Sequence, residues 1–384
     1  MTRYVFAFLS CLALLFPRSG QAQTIDTLVD VGGYRLHFHI INGKGVPILF
    51  EAGGGDDARV WQPLLEPLAA VTGATLITYD RAGFGKSELS KEPADAQHGI
   101  LSGMQGLEVG LKKLGYGNEL MLVAHSYGGL YATLYAARHP KAVQAVVLLD
   151  AMLPCFATNE FLAGMMQDMQ ADIEQNKTGH RGRYYQSLNY PATVQVVRHA
   201  PFPATIPVVD LVADNFFIPK PAEAARWKAC HQEFTAAQPN RELITAYGCG
   251  HYIFGDNPAL VVSAITKAYG ATRGQAKNPV LLKRSLSYSV NATNEIKKRE
   301  TDYRHSESDL NSWGYSLLRQ GEKQKALEVF KLNTVLYPRS GNAFDSLAEA
   351  YLNAGNKDLA RMNYQKSLEL NPKNTNAAEV LKKL

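Results

Sequence analysis

Cysteine is scarce in this chain: four in 384 residues, at positions 11, 155, 230 and 249. No C-x-x-C pair and no H-E-x-x-H occurs, so the spacing offers no metal site, and neither metal nor cofactor is expected. Charge of one sign is also lacking. Forty Lys and Arg stand against 35 Asp and Glu, and no basic cluster is dense enough to argue for nucleic acid. The apolar run from Tyr4 to Phe16 is too short to span a bilayer comfortably. It follows Arg3 and precedes the small-x-small site Gly20-Gln21-Ala22, which predicts a secretory signal peptide over residues 1–22. The run continues past Cys11, against a lipoprotein cysteine. An exported protein with no stable membrane span after cleavage is expected, and such a protein can form disulfides. Cys230 with Cys249 is the expected pair, with Cys155 left over.

Plentiful instead are short runs of Val, Ile and Leu. DTLVDVGGYRLHFHIIN predicts a hairpin turning at Gly32-Gly33. VPILFEA, ATLITYD, ELMLVAH, VQAVVLLD, IPVVDLVA and ELITAYG read as buried strands, and helical patterns such as LSGMQGLEVGLKKLG separate several of them. This alternation over residues 25–270 predicts an α/β domain with a mostly parallel sheet and helices on both faces. Residues 151–205 break the rhythm. FLAGMMQDMQADIEQ reads as an amphipathic helix, and a Tyr-, Arg- and Pro-rich stretch follows it. The segment is expected to form a helical cap whose Met and aromatic side chains line a substrate pocket or pack the cap onto the sheet.

Residues 271–305 are polar, charged and aperiodic, and read as a linker. Beyond them Gly321 and Gly355, Ala326 and Ala360, Phe330 and Tyr364, and Pro338 and Pro372 are each 34 residues apart. The period and pattern resemble the tetratricopeptide repeat. They imply a small all-α domain over residues 306–384, with two helical hairpins and a capping helix. Two repeats are few to stand alone, so packing on the first domain, a protein partner or self-association is expected.

Chemistry concentrates in three places. In AHSYGG, Ser126 sits between a strand-like run and a helical pattern, flanked two residues either side by Ala124 and Gly128. A strained strand–turn–helix elbow needs small residues there. The backbone N–H of Tyr127 would face a developing oxyanion, aided by the helix N-terminus. In ILFEAGGGDDARVW the glycines allow a backbone N–H to approach a reacting oxygen, and Gly54 is assigned as the second donor. In YGCGHYIFGDNPALVVSAI, His251 follows a strand, where open α/β sheets build their sites, and is the candidate base. His125 reads as a packing residue. Asp80 and Arg81 of YDRAGFGKS read as braces of a structural loop.

The acid should lie between Ser126 and His251 in the chain. Asp210 falls inside an apolar run, where an unpaired carboxylate is costly. Asp214 falls at that run's carboxyl end and is the chosen acid, with Asp150, closing VVLLD, in reserve.

With these segments in place, residues 25–270 resemble the α/β-hydrolase fold family. The elbow corresponds at Ala124 to Gly128, the oxyanion loop at Gly53-Gly54 and the His loop at Gly250 to Pro258. Ala124 stands where the family usually has Gly, Ala52 where a His usually precedes the glycines, and Ala213 where a Gly often lies shortly before the acid. The resemblance implies acyl transfer by Ser126, His251 and Asp214 on an ester, amide or related acyl compound. A serine at the elbow argues against dehalogenase and epoxide hydrolase chemistry, which use Asp. Two other expectations stay open: a non-catalytic binding protein recruiting partners through its repeats, and a same-fold enzyme of another reaction type, such as a carbon–carbon hydrolase, lyase or acyltransferase.

Overall fold

The apolar runs become the inner strands of one sheet. In the computed structural model, which describes residues 23–91, 95–214, 220–246, 249–272, 281, 307–319 and 321–384, eight strands pair in the order β1-β2-β4-β3-β5-β6-β7-β8. They are β1 (Thr24–Asp30), β2 (Arg35–Ile41), β3 (Ile48–Glu51), β4 (Leu76–Tyr79), β5 (Leu120–His125), β6 (Val143–Leu149), β7 (Val208–Ala213) and β8 (Arg241–Ala246). β1 and β2 form the antiparallel hairpin, with Gly32 and Gly33 at φ 104° and 88°, values that favour glycine. From β4 to β8 all pairings are parallel.

The central strands are apolar on both faces because both are covered. Along β5, Leu122 and Ala124 enter the core of one face, and Met121 and Val123 that of the other. The first core is roofed by α2 (Ile100–Lys113), α3 (Gly128–Arg138) and α8 (Pro221–Ala236); the second by α1 (Gln62–Thr72) and α10 (Pro258–Gly270).

Between β6 and β7 lie four helices: α4 (Asn159–Asp168), α5 (Gln170–Gly179), α6 (Arg181–Leu188) and α7 (Tyr190–Arg198). The stretch read as one amphipathic helix is thus two, broken at Met169. Only α4 buries a residue, Leu162; α5 buries none, so no apolar stripe holds the two in line. Pro191 at the start of α7 separates it from α6, since proline suits a first turn and not a helix interior.

After the short α9 (Ile253–Asp256) and α10, the described chain resumes as α11 (Glu307–Arg319), α12 (Lys323–Leu336), α13 (Gly341–Asn353), α14 (Lys357–Leu370) and α15 (Thr375–Leu381). Gly321 and Gly355 turn α11 into α12 and α13 into α14 with φ 77° and 81°. Ala326 and Ala360, Phe330 and Tyr364 are buried at matching places in the two hairpins. Lys325 on α12 ion-pairs with Glu242 on β8 at 3.1 Å, joining the helices to the sheet's edge. The stretch read as a signal peptide and nearly all of the expected linker lie outside the described residues.

The cysteine pairing differs from the expected one. Cys155, in the loop after β6, is bonded to Cys230 on α8, with the Cα atoms 5.7 Å apart. Cys230 belongs to the core on one face of the sheet and Cys249 to the core on the other, so the sheet itself separates the pair that sequence spacing suggested. Cys155→Ala should therefore lower the unfolding free energy by about 2–5 kcal/mol in urea melts. Cys249→Ala should leave the cross-link intact when thiols are counted in denaturant; loss of the cross-link in that variant would restore the Cys230–Cys249 pairing.

Candidate active site

Ser126 stands in the turn between β5 and α3, with a left-handed φ of 51°. Such a conformation is strained for a side-chain-bearing residue and must be imposed by its surroundings. Its carbonyl accepts from the N–H groups of Gly129 (2.9 Å) and Met152 (2.8 Å), and its own N–H donates to Leu149 of β6. The glycines after it are needed for close packing. A Cβ on Gly128 would stand 2.5 Å from the carbonyl oxygen of Glu51, and one on Gly129 would stand 2.8 Å from Ala151 Cβ.

His251 reaches this turn from the loop after β8. Its Nε2 lies 2.8 Å from Ser126 Oγ, and its Nδ1 lies 2.7 Å from Asp150 Oδ2. With Nδ1–H donating to the carboxylate, Nε2 is left to accept the serine proton. The Asp150 side chain is fully buried. Its second oxygen accepts from Trp227 Nε1 (2.9 Å) and the N–H of Ala213 (3.1 Å). The carboxylate is therefore held by three donors, and its orientation does not depend on the imidazole alone.

Asp150, and not Asp214, is thus the acid beside His251. Asp214 sits just past β7 with its side chain 38% exposed and paired with Lys228 at 3.3 Å. Strand order explains the correction. β6 lies next to β5, so a residue closing β6 is one strand from Ser126, whereas a residue closing β7 is two strands away. Asp150 also has a positive φ, 44°, which aims its carboxylate from the strand end. Asp210 faces elsewhere, bonded to His231 Nδ1 at 2.7 Å in the core.

Gly54 and Tyr127 meet across the same cleft: a Cβ at 54 would stand 3.4 Å from Tyr127 Cβ. The glycine loop is fixed from behind. Arg81 donates to the carbonyls of Ala52 (2.7 Å) and Gly53, and its guanidinium lies over the Tyr127 ring at 5.4 Å. Asp80 accepts from the N–H groups of Ala58 and Lys86, both at 2.8 Å. Both residues brace the loop. Glu51, fully buried beneath it, accepts from the Tyr79 hydroxyl at 2.6 Å; burial pushes its carboxyl up to about 7 despite the nearby Arg81 charge. His125 donates from Nε2 to the carbonyl of His251 at 3.0 Å, and burial, reinforced by the His251 charge, lowers its pKa to about 3, so it remains a neutral support for the His loop.

Ser126, His251, Gly54 and Tyr127 open onto a cavity of about 560 Å³. The cap contributes Phe161, Met165 and Tyr190, and α8 contributes Arg226 and Trp227. The contribution of α8 was not legible in the sequence. Trp227 was masked by the ordinary composition of its helix; the only local signal is a tryptophan three residues before a cysteine.

A mostly parallel eight-stranded sheet with helices on both faces and a strand–turn–helix elbow after a central strand give this chain the α/β-hydrolase fold. Residues 46–178 match the family model described as alpha/beta hydrolase fold. Over 255 residues the chain is 28% identical to the uncharacterized protein YqjL of Bacillus subtilis, covering 66% of this chain and 95% of that one. It is 27% identical over 133 residues to a proline iminopeptidase of Lactobacillus delbrueckii subsp. lactis, spanning 34% of this chain and less than half (45%) of that relative. In three dimensions it is similar to an epoxide hydrolase from an endophytic Streptomyces, with a TM-score of 0.51 and 16% identity over 64% of this chain and 94% of that one.

The two candidate acids are separable by kinetics. Asp150→Asn should lower kcat by about 10⁴-fold, the scale set by a triad left with the wrong imidazole tautomer. Asp214→Asn should stay within about threefold of wild type by the same assay, and a reversed order would reinstate Asp214. Glu51 generates a pH prediction. Its folded pKa of about 7 exceeds the ordinary 4.5, so the folded state binds the extra proton and stability falls as pH rises from about 4.5 to 7. Glu51→Gln removes this dependence. The free-energy difference between variant and wild type should move in the variant's favour by up to about 3 kcal/mol between pH 5 and pH 8 in urea melts; parallel pH profiles would refute the assignment.

Proposed function

We propose that this chain is a serine hydrolase that cleaves an ester, amide or related acyl substrate through an acyl-enzyme. The observation that carries this reading is the unbroken hydrogen-bonded line from Ser126 Oγ through the His251 ring to the buried carboxylate of Asp150. Ser126 Oγ attacks the substrate carbonyl as His251 takes its proton. Asp150 holds the imidazole in the required tautomer and stabilises its cationic form. The N–H groups of Tyr127 and Gly54 receive the tetrahedral oxyanion, where one lost donor typically costs about 3 kcal/mol. His251 then returns the proton to the leaving group. Water enters, His251 activates it, and the acid departs.

The serine itself supports acyl transfer. Dehalogenase and epoxide hydrolase chemistry on this fold uses a carboxylate nucleophile, and here the elbow presents a hydroxyl. Export to an oxidising compartment is part of the proposal, supported by the Cys155–Cys230 disulfide. So is the reading of residues 306–384 as two tetratricopeptide-like hairpins with a capping helix, supported by the matched glycine turns and buried residues. In this reading the hairpins serve self-association or a protein partner.

A fluorophosphonate probe should label the wild-type protein, and Ser126→Ala should abolish the labelling. Product analysis on a panel of esters, amides and diketones then identifies the bond broken. A wild-type protein that resists the probe and turns over no member of the panel would overturn the hydrolase reading.

A further inference from the structure

Arg226 lies on α8, one residue before the Trp227 that supports Asp150, and lines the same cavity as Ser126 and His251. Its Nε and Nη2 are buried and have no hydrogen-bond partner, and no carboxylate lies within 4 Å of it among the described residues. Arg81 and Arg241 also leave Nε unpartnered, but their terminal nitrogens are satisfied. Arg81 donates to two carbonyls, and Arg241 donates to the carbonyls of Phe234 and Phe202. Arg226 has only ring faces: its Cζ lies 4.9 Å from the centre of Phe156 and 5.7 Å from that of Phe161. These rings attract the cation but satisfy none of the in-plane N–H donors.

A guanidinium withdrawn from water without an anion is unfavourable unless something completes it. The carboxylates around the cavity are engaged or turned outward. Glu223 pairs with Lys220 at 3.5 Å. Asp56 accepts from the Tyr252 hydroxyl at 3.3 Å. Glu160 is exposed and held at the start of α4 by its own N–H and the Thr158 hydroxyl; the Arg226 charge acts on it only from beyond ion-pair distance, and Asp168 is exposed at the end of that helix. The guanidinium of Arg226, half-buried at the cavity wall, is thus left uncommitted beside an entering anion, and a carboxylate is the group such a planar fork fits. The packed rings of Phe156 and Phe161, 4.6 Å apart, give the fork a fixed apolar backing.

We propose that Arg226 is a substrate-binding residue that selects acyl compounds carrying a carboxylate remote from the scissile carbonyl. This rests on the hydrolase reading above and adds the substrate class. The carboxylate can belong to the acyl part or to the leaving group, and two matched pairs separate these. The 4-nitrophenyl monoester of adipate against 4-nitrophenyl hexanoate tests the acyl side. The hexanoate ester of 4-hydroxybenzoate against that of its methyl ester tests the leaving group.

Wild-type enzyme should favour the anionic member of one pair by at least tenfold in kcat/KM. Arg226→Met should lower that ratio at least tenfold, and Arg226→Lys should retain part of it. Binding is read separately by calorimetry on Ser126→Ala with both intact ester pairs, where the anionic member of one pair should bind at least tenfold more tightly than its uncharged counterpart. Adding Arg226→Met should remove the difference. No anionic preference in either pair, or a preference that survives Arg226→Met, overturns the proposal. If no ester is turned over and the fluorophosphonate fails to label Ser126, the hydrolase reading falls, and the calorimetric comparison still decides the role of Arg226.

Discussion

The hydrogen bond between Asp150 and His251 is the constraint on which the rest of the site depends. It spans 101 residues of sequence and is made possible by two strands lying side by side. Ser126 directly follows β5 and Asp150 directly follows β6, and both have positive φ. Two adjacent strained turns project a hydroxyl and a carboxylate from one sheet edge. His251 needs only to arrive between them. The strain is imposed by backbone contacts: Ser126 is gripped by Leu149, Gly129 and Met152, and Asp150 donates its N–H to Leu211 at 2.7 Å. The sheet's hydrogen bonding is thus continuous with the Ser126–His251–Asp150 line.

Behind this line stands a layer of charged residues that does not line the cavity. Arg81 joins the glycine loop to the elbow by bonding the carbonyls of Ala52 and Gly53 while lying against Tyr127. Glu51 lies below with Tyr79, 3.7 Å from the guanidinium. Burial of such a group is unfavourable in isolation, yet its removal would leave an arginine unbalanced in the core. The arrangement fixes the position of Gly54 without placing any side chain in the cleft.

Much of the fold was legible because the inner strands are short runs dominated by Val, Ile and Leu, as a sheet covered on both faces requires. Ser126 and His251 were legible because each follows such a run among small residues. Asp150 closes a run equally well, and it ranked below Asp214 because chain order does not reveal which strands are neighbours. The cysteine pairing failed for a related reason: sequence spacing is blind to which side of a sheet a residue occupies. Trp227 and Arg226 carry no local signal at all. Their roles arise from where α8 crosses the strand ends, and that crossing is a tertiary fact.

The Cys155–Cys230 bond ties the loop that follows Asp150 to the helix that carries Trp227. Nearby, α6 and α7 are pinned by buried Tyr185, Thr193, Val194 and Val197. In contrast α5 buries nothing and α4 only Leu162. The roof over the cleft is thus anchored unevenly, stapled along one margin and merely resting along the other. A displacement of α4 and α5 would therefore leave Asp150 and Trp227, which lie along the stapled margin, in place.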